Sequence, residues 1–556
     1  MLGDHPGKLA LLRSTLAVAI FLLFMAACDG SSQGSSFESP NGSSNSPSSA
    51  TSCSPSSTSD PLLSTGTVKV DPEVCYPFEG WGTSLAWWAE RVGGWPEDKK
   101  SAIADLVFDP SKGLGFNVVR YNIGAGEVQG QGCPTSFHPG AQVPTFEPSE
   151  GKWNWEADAS QRDILQKAKD RGANIFEAWA DSPPTWMTLS GCSSGNNQVR
   201  GGDNLPKPED DSHTQVYEKY AYYLATVVEH FRDYWGIEFR TVEPLNEPHS
   251  PHIIWPYSGC ASNKASSCQE GANFQPSTQK EIIRKVCDAL SEKELNTRVS
   301  APDENTVDAT IESYRSYDPT AKDCISQINT HGYWITEPYK GNKRGELWDL
   351  ARKEGKTLWM SEFGTGRKPD KEANDTASAL RLSRQILDDM QQMHPRAWVY
   401  WQAVHHDLPY GEGLISVDDP ARLTSDCRYI CTKRYYAMAN YSRFIRPGYQ
   451  IIGSDDPNAL VAYDPSSGTL VIVTTNDTEE DTYFTYDLSN FGGVESSTVK
   501  AYRTSDTEDL TSIASPLPED ITPAGFRTTA GFRSYTPRES ITTYIISDVY
   551  PSSRLY

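Results

Sequence analysis

RTVEPLNEP, residues Arg240 to Pro248, is a short extended-type run closed by an Asn-Glu pair between two prolines. Thr and Val favour a strand. Pro244 and Pro248 then restrict the backbone on both sides of Glu247 and hold the acid in place. A bare carboxylate at a strand end needs a partner or a task. The same texture recurs seven more times between Tyr76 and Arg446, as FEGWGTSLAWW, FNVVRYNIG, NIFEAWADSPP, RVSAPDE, QINTHGYW, TLWMSEFG and AWVYWQAV. Between these runs lie amphipathic stretches such as QRDILQKAKDRG, YEKYAYYLATVVEHFRDYWG, QKEIIRKVCDALSEK and ASALRLSRQILDDMQQM. Eight strand-like runs separated by helices predict parallel β/α construction, and eight is the strand number of a (β/α)8 TIM barrel. Most of the runs carry Gly, Asn, Asp, His or Pro toward their C-terminal end, the composition expected at the barrel face that carries chemistry.

On this scheme Glu247 ends the fourth strand and Glu362, in TLWMSEFG, ends the seventh. Those strands stand on roughly opposite sides of an eight-stranded barrel, so the two acids face each other across its mouth. Glycoside hydrolysis needs such a pair: one carboxyl protonates the leaving oxygen and the other attacks C1 or activates water. Asn246 is placed to hydrogen-bond a sugar 2-hydroxyl. A lone Asn-Glu-Pro arises by chance, and single strand-end acids are commonly ion-paired. Two together in a Trp-rich barrel point to catalysis on a polysaccharide or oligosaccharide. Other strand ends converge on the same mouth. Arg120 and Asn122 end the second strand, the Arg either holding Glu362 ionised by direct pairing or forming an ordinary buried ion pair. Trp179 ends the third strand ahead of a polar turn. His331 and Tyr333 end the sixth: Tyr333 is expected to bond the nucleophile, while His331 contacts the sugar or is structural. Trp401 ends the eighth, where an indole floor suits a sugar ring. Trp87 and Trp88 divide between sugar surface and core. His405 and His406 lack a third ligand at useful spacing, so no metal is expected, and no cofactor is implied.

The 556 residues carry 50 basic against 73 acidic side chains, a net charge of −23, and no basic stretch, which argues against a nucleic-acid partner. The 15 Trp and 27 Tyr include faces that suit sugar stacking. Residues 1–28 read as an export signal: Lys8 and Arg13 precede the apolar run LAVAIFLLFMAAC. Ala26-Ala27-Cys28 resembles a lipoprotein box, with membrane attachment through a lipidated Cys28, although ordinary cleavage after small residues fits too. A secreted or cell-surface location follows in either case. The 11 cysteines would leave ten to pair if Cys28 is modified, with Cys260/Cys268 and Cys427/Cys431 as candidate local bridges. Residues 29–64, rich in Ser and Pro, form a disordered tether. Residues 65–75 hold a strand that joins a C-terminal sheet. Residues 76–446 form the barrel, and 447–556 an antiparallel β-sandwich read from ALVAYDPSSGTLVIVTTND, DTYFTYDLSNF, STVKAYRTS and SITTYIIS. A monomer is expected.

Taken in order, FEGWGTSLAWWAE, VVRYNIG, DSPPTWM, VEPLNEP, WMSEFG and YWQAV resemble a family 30 glycoside hydrolase of the large clan of retaining (β/α)8 enzymes. The resemblance runs over about residues 66–556 and includes the trailing sandwich. GWGTSLAWWA is similar to the endo-β-1,6-galactanase subgroup. The resemblance implies that Glu247 is the acid/base and Glu362 the nucleophile, that Asn246 is the Asn preceding the acid, and that Arg120, Tyr333 and Trp401 support them. Galactan as substrate rests on the resemblance alone. Another β-glycanase of the family (β-1,6-glucanase, xylanase or exo-acting β-glycosidase) and a non-catalytic cell-surface carbohydrate-binding protein are the alternatives.

Overall fold

The computed structural model describes residues 65–126, 132–134, 137–196, 199–206, 215–249, 254–256, 260, 268–333, 343–365, 376–405, 412–417, 428–495, 498–515 and 531–550. Eight parallel strands close into a barrel. They are β1 (Gly80–Ser84), β2 (Val118–Asn122), β3 (Ile175–Trp179), β4 (Thr241–Glu243), β5 (Arg298–Ser300), β6 (Ile325–His331), β7 (Thr357–Phe363) and β8 (Ala397–Gln402). Every strand falls within one of the eight sequence runs or overlaps it closely. β4 stops at Glu243 because the next residue, Pro244, has no N–H to give a neighbouring strand.

Strand alternation sorts the interior into layers. Val118, Trp359, Ala397 and Val399, with Ile175 against them, pack an apolar floor. Two residues further along their strands, Arg120, Glu177 and Ser361 are completely buried and form a polar middle. Two further again, Asn122, Trp179 and Trp401 reach the mouth. The outward-facing set, such as Val119, Tyr121 and Phe176, packs against the helices. Among these helices, Val216–Trp235 puts Tyr220, Leu224 and Val228 on its inner face, and Pro276–Glu292 does the same with Ile282, Ile283 and Val286.

The leading strand, Thr65–Pro77, is not part of the barrel. It lies within a nine-stranded sheet, antiparallel to Gln450–Ser454 and parallel to Thr482–Asp487. Its register shifts between Asp71 and Cys75, and the sheet folds over a second core of Val68, Val70, Ile472, Tyr486, Phe532 and Tyr544. Gln450–Ser454, Thr511–Ile513 and Gly531–Thr536 add strands that the sequence runs do not mark. Trp81 of β1 donates from Nε1 to the Ile445 carbonyl (2.9 Å) and packs on Tyr441, in the helix Lys433–Ser442 and the turn after it that lead into the sheet.

Among the described residues, disulfides join Cys133 to Cys192, Cys260 to Cys268, and Cys287 to Cys324. The first links the segment after β2 to the segment after β3. Cys427, and with it the expected Cys427/Cys431 bridge, lies outside the described residues, as do residues 1–64 and His406.

Val70 is wholly buried in the second core, so Val70→Ala should lower unfolding free energy by about 2 kcal/mol. Urea unfolding measures this, and kcat should stay at the wild-type value because the strand does not touch the mouth.

Candidate active site

The site is assembled on Arg120. Its Nε donates to Glu177 Oε1 (2.8 Å), Nη2 to Asp303 Oδ2 (2.6 Å) and Nη1 to the Ser361 carbonyl (3.2 Å). Glu362 Oε2 is 3.7 Å from Nη1. Direct pairing of Arg120 with the expected nucleophile is therefore secondary: the short bonds go to Glu177 and Asp303, and Glu362 feels the charge from slightly further off. Glu177 is saturated, also accepting from Thr241 Oγ1, Gln327 Nε2 and Asn329 Nδ2. Burial would raise the Asp303 carboxyl, but the charges of Arg120 and His331 hold it well below the usual carboxylate range.

Asp303 passes this order on to Glu247. Its carbonyl accepts from the Glu247 N–H (3.0 Å), and Trp255 Nε1 donates to the Glu247 carbonyl (3.3 Å). Both residues of that first contact are in the left-handed region, Glu247 at φ 45° and Asp303 at φ 54°. Such a conformation costs on the order of 1–3 kcal/mol for a non-glycine residue and persists only where the surroundings over-determine it.

The side chains then close on one another. His331 Nδ1 lies 3.0 Å from Glu247 Oε1 and 3.4 Å from Glu362 Oε1, with Nε2 3.2 Å from Asp303 Oδ1. One atom each of Glu247, His331 and Glu362 falls within 4.8 Å of the other two. Burial works against a charge on His331, but Glu362 and Asp303 overcome it and raise the imidazole well above its ordinary value. The imidazole thus stands between the two carboxyls, within reach of both. Tyr333 donates to Glu362 Oε1 (3.0 Å), while Glu362 Oε2 is buried with no hydrogen-bond partner among the described residues. Burial raises the Glu362 carboxyl to about 8. His331 and Arg120 pull it down, and Glu247 pushes it up.

The remaining sequence candidates surround this pair. Asn246 Nδ2 and Asn122 Nδ2 both donate to Asp181, at 2.8 and 3.1 Å. Trp401 meets Trp87 edge-on (5.2 Å between centroids) and Trp179 likewise (6.1 Å), in one cluster with Ala86 and Ala141. Trp88 belongs to the core instead, bonded to the Ser84 carbonyl and stacked toward Phe108. Sequence reading passed over Asp303, Ser361, Glu177 and Asp181. The available signal was a buried Arg in β2, which demands acids from neighbouring strands, and NIFEAWADSPP and RVSAPDE each carry one, Glu177 and Asp303.

A parallel barrel with two glutamates facing across its mouth, from the ends of β4 and β7, is the arrangement of a glycoside hydrolase. The chain matches the model of O-Glycosyl hydrolase family 30 over residues 68–416 and belongs to that family. It is 35% identical over 432 residues to an endo-beta-1,6-galactanase of Hypocrea rufa, covering 74% of this chain and 81% of that enzyme. With an exo-beta-1,6-galactobiohydrolase of Bifidobacterium longum it shares 25% identity over 77% of this chain and 35% of that protein. A conserved exported protein from Bacteroides fragilis has the same fold, with TM-score 0.68 and 20% identity, covering 86% of this chain and all of that one.

Two outcomes follow for stability. Arg120→Leu leaves Glu177 and Asp303 buried without their cation and should cost about 3–5 kcal/mol, read by chemical unfolding. Glu362→Gln should act the other way. The folded-state value near 8 exceeds the unfolded value of about 4.3, so Glu362's contribution is complete below pH ~4.3 and lost as pH rises toward 8. The Gln variant should therefore melt above wild type at pH 8, with the gap closing toward pH 4.

Proposed function

We propose that the chain is a retaining endo-β-1,6-galactanase that works through Glu362 as nucleophile and Glu247 as acid/base. The observation that carries this is the opposed carboxylate pair, with oxygens within 4.8 Å of each other and His331 between them. That spacing suits retention, in which the carboxyl groups stand ~5–5.5 Å apart, and leaves no room for the intervening water that inversion needs. Glu362 Oε2, which has no competing hydrogen bond, attacks C1 while Glu247 gives its proton to the departing oxygen. Glu247 then takes a proton from water, which cleaves the glycosyl-enzyme at C1. Tyr333 and His331 steady the nucleophile, and the Trp87–Trp179–Trp401 cluster offers aromatic surface to the ring.

The galactan assignment draws its support from the 35% identical relative of that name. Exo action is the second reading, favoured by the Bifidobacterium relative's name. Three disulfides support work in an oxidising compartment, outside the cell. The lipoprotein-type box at Cys28 supports attachment to a membrane, and the protein is proposed to act as a monomer.

Proton NMR of the earliest products from de-branched β-1,6-galactan should display β-anomers of galactobiose and longer oligomers, with α-anomers appearing later. Galactobiose alone would favour exo action, and no cleavage would redirect the assignment to β-1,6-glucan or xylan. Glu247→Gln should lower turnover of galactan by about 10²–10⁴-fold. Aryl glycosides, whose leaving group needs no proton, should be far less affected.

A further inference from the structure

Asp181 lies two residues beyond β3 and is 2% exposed. It makes two contacts that mirror each other. Oδ1 accepts from Nδ2 of Asn246, beyond the end of β4, and Oδ2 accepts from Nδ2 of Asn122, the last residue of β2. One carboxyl therefore clamps two amides from the strands on either side of its own. An amide is planar, so committing its nitrogen in one direction turns its oxygen in another. Asn122 Oδ1 and Asn246 Oδ1 are both buried, and neither has a hydrogen-bond partner among the described residues. The indole N–H of Trp179, next to Asn122 in the register of β2 and β3, is buried and unpartnered as well. Buried polar atoms are normally satisfied, and two acceptors with one donor around a carboxylate pair match the hydroxyls of a sugar ring.

We infer that Asp181 is a positioning residue for sugar recognition: by occupying both amide nitrogens it presents Asn246 Oδ1 and Asn122 Oδ1 as fixed acceptors, the former receiving the proton of the 2-hydroxyl. The polarity of this contact matters. A 2-hydroxyl that donates its hydrogen bond keeps more electron density on its oxygen, and that density stabilises positive charge growing at the adjacent C1. The contact therefore strengthens toward the transition state and acts on kcat more than on KM. Burial and the charges of Glu362 and Glu247 push the Asp181 carboxyl well above the usual range, while the Asn122 hydrogen bond and the Arg120 charge favour its ionised, doubly accepting form.

This inference rests on the glycosidase reading of the site, and the test separates the two. Wild type, Asp181→Asn and Asp181→Leu are assayed on 4-nitrophenyl β-1,6-galactobioside and on the same glycoside lacking the 2-hydroxyl of the aryl-bearing residue. In wild type, removing the hydroxyl should lower kcat/KM by about 100-fold or more. Asp181→Leu should lower kcat on the intact substrate by about 10–100-fold with KM within about threefold, and the penalty for removing the hydroxyl should shrink to below about tenfold. Asp181→Asn accepts at one oxygen only and must turn one of its neighbours around, so its penalty should also shrink. It decides the matter if the Leu variant lacks a cooperative melt. A hydroxyl penalty unchanged within about twofold in the folded variants makes Asp181 a structural brace and overturns the inference. If wild type cleaves the gluco or xylo counterpart instead, the galactan assignment falls and the same cycle on that glycoside decides Asp181. Turnover of none of the three, with Glu362→Gln indistinguishable from wild type, removes both readings.

Discussion

A guanidinium sealed inside a barrel has to be matched by charge and by hydrogen bonds, or the fold does not form. Arg120 is wholly buried, and the cost of taking it out of water is met by Glu177 and Asp303 in short contacts. From that requirement the site is built outward. Asp303 must come close to Arg120, which fixes the turn after β5. That turn offers the carbonyl that receives the Glu247 N–H and the carboxylate that faces His331. His331 then stands between the two glutamates. Glu247, His331 and Glu362 are thus located by a charge that lies 3.7 Å from the last of them and bonds directly to none.

The layered interior explains how an acidic, strained mouth is tolerated. Below it, Val118, Trp359, Ala397 and Val399 make an apolar floor with Ile175 against it. Above the floor, Glu177 receives four hydrogen bonds, so the polar middle is close to saturated. In the top layer, side-chain atoms of Asn122, Asn246, Trp179 and Glu362 are buried without a hydrogen-bond partner among the described residues. Left-handed backbone at Glu247 and Asp303 is held there by a hydrogen bond between the two.

The barrel was legible because its signal is local. Each strand run is short, β-rich and closed by turn residues, and β4 through RTVEPLNEP is cut by a proline that reads the same in sequence and in space. Glu247 and Glu362 were legible because strand order alone sets them face to face. What escaped depends on contacts between distant residues. Arg120 was read with Glu362 as its partner, yet the shorter bonds go to Glu177 on β3 and to Asp303 after β5, a choice made by barrel geometry that no spacing encodes. Asp181 was visible only as a polar turn, since its two amide partners lie 59 and 65 residues away. Cys260–Cys268 spans 8 residues and was expected, whereas Cys133–Cys192 spans 59 and was not. Gln450–Ser454 is short and follows a helix-to-sheet transition, and it is a strand through pairing with Thr65–Pro77 on one side and Ala459–Asp464 on the other.

That pairing has a consequence for the order of events during synthesis. Thr65–Pro77 leaves the ribosome early, but both its partners, Gln450–Ser454 and Thr482–Asp487, are made near the end of translation. The Lys69 N–H bonds Asp455 Oδ1 across 386 positions. The strand must remain unpaired while the intervening barrel is produced, and the sheet closes only when the last segments arrive. The sheet is completed only when this leading strand meets partners that belong to the C-terminal part of the chain.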